Sequence, residues 1–367
     1  MTRQFLDETL DLARQGEGRT SPNPAVGCVI AQGEQVVGRG FHTYAQLHHA
    51  EIMALEEAGG QARGATMYVS LEPCSHEGRT GPCADAIIKA GIARVVAITT
   101  DPNPLVAGKG LEKLRASGIE VELHPDLAPK AEALNRAFFH FMRTGLPLVT
   151  LKAALTLDGK IAAPEDNSGW ITSEKARAHV QQIRHLSDAI MTGINTVLAD
   201  DCLLTDRSGR ERSRPLLRMV LDSQLRLPLE SKMVKSANGD VVAVCNSVAA
   251  EWRRKALESH GVQVVEAGSP DGRTDLRKVV AWLAESKYLS LMIEAGSRVN
   301  WGALDQGVVD RIFFYYAPKI LGGTQSLPVA GGRGRPRRVD AIQFRNVSLH
   351  QITEDEFAVE AWVVKER

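Results

Sequence analysis

One histidine and two cysteines, spread over three segments, constrain this chain more than any other feature. They occur in His49-Ala50-Glu51, Pro73-Cys74 and Pro82-Cys83. Imidazole and thiolate are zinc ligands, and a catalytic zinc site takes three protein ligands while keeping a fourth position for water. A fold that uses them must bring three separate segments to one point. Glu51, two residues from His49, then stays outside the metal shell, where it can exchange protons with that water. A closed structural site, with His48 or His76 as fourth ligand, is the alternative, as are unrelated buried cysteines. Neither calls for a carboxylate at this offset. The His-Ala-Glu spacing selects His49 over His48, and Cys28, inside an apolar run, reads as a core residue.

The pattern around these residues alternates strand and helix. Residues 2–15 suit an amphipathic helix capped by Thr2, with Phe5, Leu6, Leu10 and Ala13 inward. Strands are expected at 26–31, 35–41, 65–71, 94–99 and 119–123. Helices are expected from near His49 (with Ile52, Met53 and Leu55 in the core), at 83–90, 109–117 and 126–143. His49, Glu51 and Cys83 would then lie in first helical turns, and the positive end of a helix would favour thiolate at Cys83. Arg143-Thr144-Gly145-Leu146-Pro147 reads as a helix stop and linker, dividing the chain into domains 1–144 and 145–367. The second begins with an apolar strand at 148–157. Further strands are expected at 188–193, 216–222, 241–245, 262–266, 289–294 and 311–317, with helices at 174–186, 249–259 and 274–286. This rhythm predicts α/β domains with sheets covered by helices on both faces.

Length agrees with two domains, since 367 residues exceed one ordinary core. Lys plus Arg and Asp plus Glu number 44 each. A balanced chain lacks the basic field expected of a polynucleotide binder, so no nucleic-acid partner is expected. No run approaches the roughly 18 apolar residues of a membrane span. The N-terminus lacks the apolar core of a signal peptide, and an odd count of five cysteines suits reduced thiols. A cytoplasmic protein with no membrane partner is the expectation. Gly331-Gly332-Arg333-Gly334-Arg335-Pro336-Arg337-Arg338 stands out as a basic run, either a solvated loop or a contact for phosphate or a partner.

His-x-Glu with paired cysteines is the pattern of the zinc deaminases of nucleobases and related rings. Here eight residues separate the cysteines, instead of the commoner two. Residues 72 to 83, Glu-Pro-Cys-Ser-His-Glu-Gly-Arg-Thr-Gly-Pro-Cys, and Thr20-Ser21-Pro22-Asn23-Pro24-Ala25-Val26-Gly27-Cys28 together resemble the deaminase half of the bacterial bifunctional riboflavin-biosynthesis enzymes. Those join a diaminohydroxyphosphoribosylaminopyrimidine deaminase to a 5-amino-6-(5-phosphoribosylamino)uracil reductase. The resemblance implies a cytidine-deaminase-like three-layer α/β/α domain with one Zn2+ on His49, Cys74 and Cys83, and Glu51 as proton shuttle. It implies further that Asn23, His42, His76, Arg79, Asp101 and Asn103 surround a phosphorylated pyrimidine. Asn23 and Asn103, beside prolines, could equally cap turns.

Spacing alone says less in the second half, where no Gly-x-Gly-x-x-Gly follows an early strand. Four segments carry the resemblance: Leu151-Lys152-Ala153-Ala154-Leu155-Thr156-Leu157-Asp158-Gly159-Lys160, Ser168-Gly169-Trp170-Ile171-Thr172-Ser173, Thr196-Val197-Leu198-Ala199-Asp200-Asp201 and Glu294-Ala295-Gly296-Ser297. They are similar to the reductase domain of the same family, which implies a dihydrofolate-reductase-like α/β fold using NADPH. The resemblance places Ala153, Trp170, Thr196, Asp200 and Ser223 on the cofactor. Gly296, Ser297, Arg298, Val299, Asn300, Trp301 and Gly302 would cradle its phosphates at a helix N-terminus. Ser168, Arg184, Leu204, Arg207 and Glu294 would hold the substrate, with Lys152 and Asp200 as candidates for protonating the opened sugar. Without the resemblance, Trp170 could be a core anchor and Arg184 a solvated helix residue. Cys202 stands where the family often has proline. A homo-oligomer of two or four chains is expected from the family.

Overall fold

The computed structural model describes residues 2–75, 81–104, 106–165, 168–269 and 272–365. They divide into one unit of Met1–Leu146 with Glu211–Arg214 and another of Pro147–Arg210 with Pro215–Arg367.

The first unit runs α1 (Thr2–Gln15), β1 (Gly27–Gln32), β2 (Gln35–Phe41), α2 (Ala50–Ala58), β3 (Thr66–Val69), α3 (Cys83–Ala90), β4 (Arg94–Ala97), α4 (Lys109–Ala116), β5 (Glu120–Leu123), α5 (Ala128–Leu134) and α6 (Arg136–Thr144). Its sheet has the order β2-β1-β3-β4-β5. β1 is antiparallel to both neighbours, while β3, β4 and β5 are parallel. Successive strand residues face opposite ways, and the burial follows. Cys28, Ile30, Met67, Val69, Val95 and Ala97 pack with α2, α3 and α4, whereas Val29, Ala31, Tyr68, Val96 and Ile98 pack with α1 and α5. Two cores on one sheet make a three-layer α/β/α domain.

Three expectations need correction in this unit. The buried face of α2 is Ala50, Glu51, Ala54 and Ala58, with Ile52, Met53 and Leu55 only partly covered. The cause is close packing on β2: a Cβ at Gly38 would stand 2.1 Å from the Ala54 carbonyl oxygen, and one at Gly40 equally close to that of Ala50. Backbone meets backbone there, so only small residues fit. The helix expected at 126–143 is split at Asn135, whose buried amide accepts from the Ala25 N–H (2.7 Å) and donates to the Ala25 carbonyl (2.9 Å). Thr2, expected as a cap, is the first helical residue of α1.

The second unit runs β6 (Leu148–Thr156), β7 (Lys160–Ala162), α7 (Glu174–His185), β8 (Ala189–Gly193), α8 (Ile194–Asp200), β9 (Leu217–Leu221), α9 (Lys232–Lys235), β10 (Val241–Cys245), α10 (Glu251–Glu258), β11 (Val262–Glu266), α11 (Leu276–Glu285), β12 (Ser290–Ile293), α12 (Ser297–Asp305), β13 (Arg311–Ala317), β14 (Leu327–Pro328), β15 (Phe344–Gln351) and β16 (Phe357–Val363). Nine strands order as β11-β10-β9-β8-β12-β6-β13-β16-β15. They are parallel from β11 to β13, and β16 and β15 add antiparallel. β15 and β16 lie beyond the last strand expected from the sequence. β15 is exposed along most of its length, so it carries no buried-and-open alternation to read. In open parallel sheets, ligands bind outside the carboxyl ends of the strands where the order reverses. Here β12 enters between β8 and β6, and the turn after it carries Glu294 and Gly296.

Candidate active sites

α2 and α3 each present their first residues to the loop after β3. His49 precedes α2, Cys83 opens α3, and Cys74 lies between β3 and α3. His49 Nδ1 is 3.2 Å from Cys83 Sγ and 3.7 Å from Cys74 Sγ, and the three ligand atoms lie within 4.8 Å of one another. Ligands at about 2.1 and 2.3 Å from a tetrahedral zinc stand roughly 3.6 Å apart, so the donor set fits that ion. His48, by contrast, pairs with Glu56 on the surface.

The first N–H of α3, that of Cys83, donates to Cys74 Sγ at 3.3 Å. The adjoining Cys83 thiol, with His49 and that N–H, draws Cys74 down, while Cys74 and burial push Cys83 up. The positive end of α3 thus faces Cys74 as well as carrying Cys83. His49 is raised, chiefly by its hydrogen bond to Cys74. Glu51 is 4% exposed, and burial lifts it to about 7, helped by the Cys74 charge. Cys28 is fully buried in the core, with its thiol pushed up by burial.

Beside this cluster, the Asn23 side-chain amide meets His42 Nε2 at 3.1 Å, and His42 Nδ1 meets the His48 carbonyl at 3.2 Å. The rings of His42 and His49 sit edge to face, 5.3 Å between centroids. Asp101 and Asn103 share one turn, in which Asp101 Oδ1 accepts the Asn103 N–H at 2.8 Å. His76 and Arg79 lie outside the described residues. Sequence reasoning passed over Glu72, a buried carboxylate whose oxygens accept backbone N–H groups of the 101–111 segment. Its signal was available: a charged residue closing an apolar strand, two positions before a ligand.

In the second unit, the β12–β6 register sets Ile293 opposite Leu151 and so brings Glu294 alongside Lys152. Glu294 accepts from Lys152 Nζ (3.3 Å), Arg184 Nε (2.7 Å) and the second Arg184 nitrogen (3.0 Å). Burial pushes the Glu294 carboxyl up, but Lys152 and Arg184 more than offset it and hold it at about 2. Arg184 also donates to the Thr205 carbonyl at 3.0 Å, fastening the Leu204–Arg207 segment. Leu204 itself is buried at φ 53°, a conformation uncommon outside glycine. The Arg207 N–H bonds Gln181. Lys152 Nζ sits 5.8 Å above the ring of Tyr315, a buried neighbour missed from sequence, whose hydroxyl meets His179 at 2.7 Å.

Among the described residues Lys152 pairs with Glu294 and not with Asp200, which ends α8 and is raised by burial. Ala153 is buried in β6. Thr196 lies in α8, facing Gly296, whose Cβ would come 4.0 Å from the Thr196 hydroxyl. Among the described residues, two buried polar atoms in the first turn of α12 have no hydrogen-bond partner, Ser297 Oγ and Asn300 Oδ1. An unpartnered hydroxyl at a helix N-terminus fits a phosphate-bearing cofactor. Ser223 Oγ meets Thr274 Oγ1 at 3.3 Å after β9. Ser168 and Trp170 are exposed; Trp170 stacks under the Arg177 guanidinium and its carbonyl accepts from Lys319. In the basic run, Arg335 pairs with Asp305 and covers the Trp301 ring, and Arg337 pairs with Asp340.

Comparison with known proteins agrees with both halves. Residues 1–99 match the cytidine and deoxycytidylate deaminase zinc-binding region, and residues 147–356 match the RibD C-terminal domain. The riboflavin biosynthesis protein RibD of Actinobacillus pleuropneumoniae is 41% identical over 96% of this chain and 93% of its own length. That of Escherichia coli is 39% identical over 96% of each. The solved structure of Acinetobacter baumannii RibD superposes with a TM-score of 0.88 at 36% identity, covering 99% of both chains. A Thermotoga maritima structure described as a diaminohydroxyphosphoribosylaminopyrimidine deaminase/5-amino-6-(5-phosphoribosylamino)uracil reductase gives 0.82 at 35% identity, again covering 99% of both.

Proposed function

The chain belongs to the RibD family of riboflavin-biosynthesis proteins, and from that premise we propose how its residues divide the two reactions. It is a bifunctional enzyme, a zinc-dependent hydrolytic deaminase and an NADPH-dependent reductase. The deaminase, in domain 1–144, converts 2,5-diamino-6-(5-phosphoribosylamino)pyrimidin-4(3H)-one to its uracil. The reductase, in domain 145–367, then takes the ribosyl chain to ribityl. The observation that carries this reading is the buried Glu51 carboxyl, lifted to about 7, beside a His49, Cys74 and Cys83 cluster spaced for one metal ion.

His49, Cys74 and Cys83 hold the zinc. When bound, zinc supplies Lewis acidity that brings the pKa of the attacking water down to about 7. Glu51, poised near neutrality, takes a proton from that water and delivers it to the ring nitrogen. It then takes the remaining proton from the hydroxyl added to the ring carbon and passes it to the departing amine, so that the C–N bond breaks and water and the amino compound become ring carbonyl and ammonia. Asn23, His42, Asp101 and Asn103, with His76 and Arg79, orient the ring and its phosphoribosyl arm.

In the reductase site, Glu294 orients Lys152 and takes the Arg184 fork itself, so Arg184 acts by holding the Leu204–Arg207 segment and Arg207 is left to meet the substrate phosphate. Ser168 and Leu204 complete that pocket. Ala153, Trp170, Thr196, Asp200, Ser223 and the Gly296–Gly302 turn take the cofactor. Held there, NADPH would supply the hydride that reduces C1 of the opened sugar, and Lys152 or Asp200 protonates the ring oxygen released. Five free thiols support a reducing, cytoplasmic setting. No described helix is long and apolar enough to cross a membrane. We expect a dimer or tetramer, checked by light scattering on the eluting protein.

The test is ammonia release from the diaminopyrimidine ribosyl phosphate by zinc-loaded protein, followed by NADPH addition. Ammonia first, then NADPH oxidation that depends on the deaminated product, is the expected result. Folded, zinc-bound protein that yields neither signal overturns the substrate assignment.

A further inference from the structure

We propose that Glu72 is a positioning residue of the deaminase site, holding the segment with Asp101 and Asn103 in register with the metal ligand Cys74. Its carboxylate is 4% exposed, and four backbone N–H groups of one segment donate to it. Oε2 accepts from Asp101 (3.1 Å) and Gly108 (2.9 Å), and Oε1 from Gly110 (2.8 Å) and Leu111 (3.4 Å). A single oxygen thus closes the loop from Asp101 to Gly108 at both ends. The other oxygen receives the first turn of α4, whose positive end favours a carboxylate there.

The tether continues through the main chain. The Glu72 N–H donates to the Thr99 carbonyl at 3.0 Å, tying the ends of β3 and β4 together one step before the loop departs. A Cβ at Gly110 would stand 1.9 Å from the Pro73 carbonyl oxygen, so the start of α4 rests directly on the peptide before Cys74. Asp101 Oδ1 in turn holds the Asn103 N–H. The chain of contacts therefore runs from Asn103 through Asp101 to Glu72, and from Glu72 through Pro73 to Cys74. Glu72 touches neither metal nor the reacting ring; it sets the distance between what binds the ring and what binds the metal.

The inference rests on the reading of Asp101 and Asn103 as pocket residues. Glu72→Gln is the test, since it keeps the shape but turns one acceptor oxygen into a donor facing two N–H groups. Misplacing a binding group by about an ångström costs up to a hundredfold. Ammonia release by zinc-loaded full-length Glu72→Gln is expected to show a kcat lowered at least roughly tenfold with KM within about threefold of the parent. Its zinc content should stay at one per chain, and its reduction of pre-deaminated substrate should be unaltered. Unchanged kcat overturns the proposal, and so does a loss confined to zinc content. Amide exchange in the parent protein decides independently of any variant folding. Asp101, Gly108, Gly110 and Leu111 should exchange as one slow group, and fast, unrelated exchange at these four overturns the tether. A parent enzyme that releases no ammonia overturns the functional reading itself, a result distinct from either outcome for Glu72.

Discussion

Glu51 and Glu294 are both buried carboxylates, yet their surroundings drive them in opposite directions. Burial dominates at Glu51 and places it at about 7, whereas Lys152 and Arg184 hold Glu294 at about 2. The first suits proton transfer and the second a permanent anion that fixes two cations. Glu51→Gln should lower ammonia release by about 10²- to 10⁴-fold while leaving zinc content and NADPH oxidation on pre-deaminated substrate intact; loss of both activities in folded protein would contradict the division. Glu294→Gln strands two cations and should cost about 3 kcal/mol at neutral pH, read from denaturant unfolding. Because the folded pKa of Glu294 lies below the ordinary 4.5, its contribution is complete above that pH and is lost as pH falls through about 2. The gap between parent and Glu294→Gln should therefore close over that window. At this scale His49, Cys74 and Cys83, which the structure brings together, were legible from the His-Ala-Glu spacing and the two Pro-Cys pairs. Glu72 offered a signal that was passed over, and Tyr315 offered none, since its partners Lys152 and His179 lie far away in the chain.

Elements were legible where one face is buried and the other open, as in α1 and α3, or where a short apolar run is buried almost throughout, as in β10 and β13. α3, β10, β11 and β13 fall within the residues expected from periodicity, and α1 carries its four inward residues as read. The exceptions share a cause, contacts that leave no apolar stripe. α2 lies on Gly38 and Gly40 through alanines, so its larger side chains misled the reading. Asn135 interrupts its helix because its amide answers the backbone of Ala25. Gly40→Ala should push α2 outward with His49 and Glu51 on it. We expect a loss of about 2 kcal/mol or more in stability and weaker zinc retention against a chelator, measured by metal analysis after dialysis. An unchanged zinc content with full stability would show that the helix has room to move.

For the whole molecule, the division into two catalytic domains followed from length, the change of motif near 145 and the resemblance to a bifunctional family. Strand order in the second unit did not, because β12 enters the sheet between β8 and β6 after three intervening strands, a pairing no local pattern announces. Stripping zinc with a chelator should abolish ammonia release while NADPH oxidation on pre-deaminated substrate continues, and readdition should restore the first activity. Simultaneous loss of both would mean that the metal serves the reductase as well.

The contact of α2 with β2 has an evolutionary consequence. At Gly38 and Gly40 helix and strand have no adjustable spacer, so drift at these two positions cannot slide His49 or Glu51 by small steps. A change of ring specificity on this frame is then left to the loops after β3 and β4, since the seat of His49 has almost no slack.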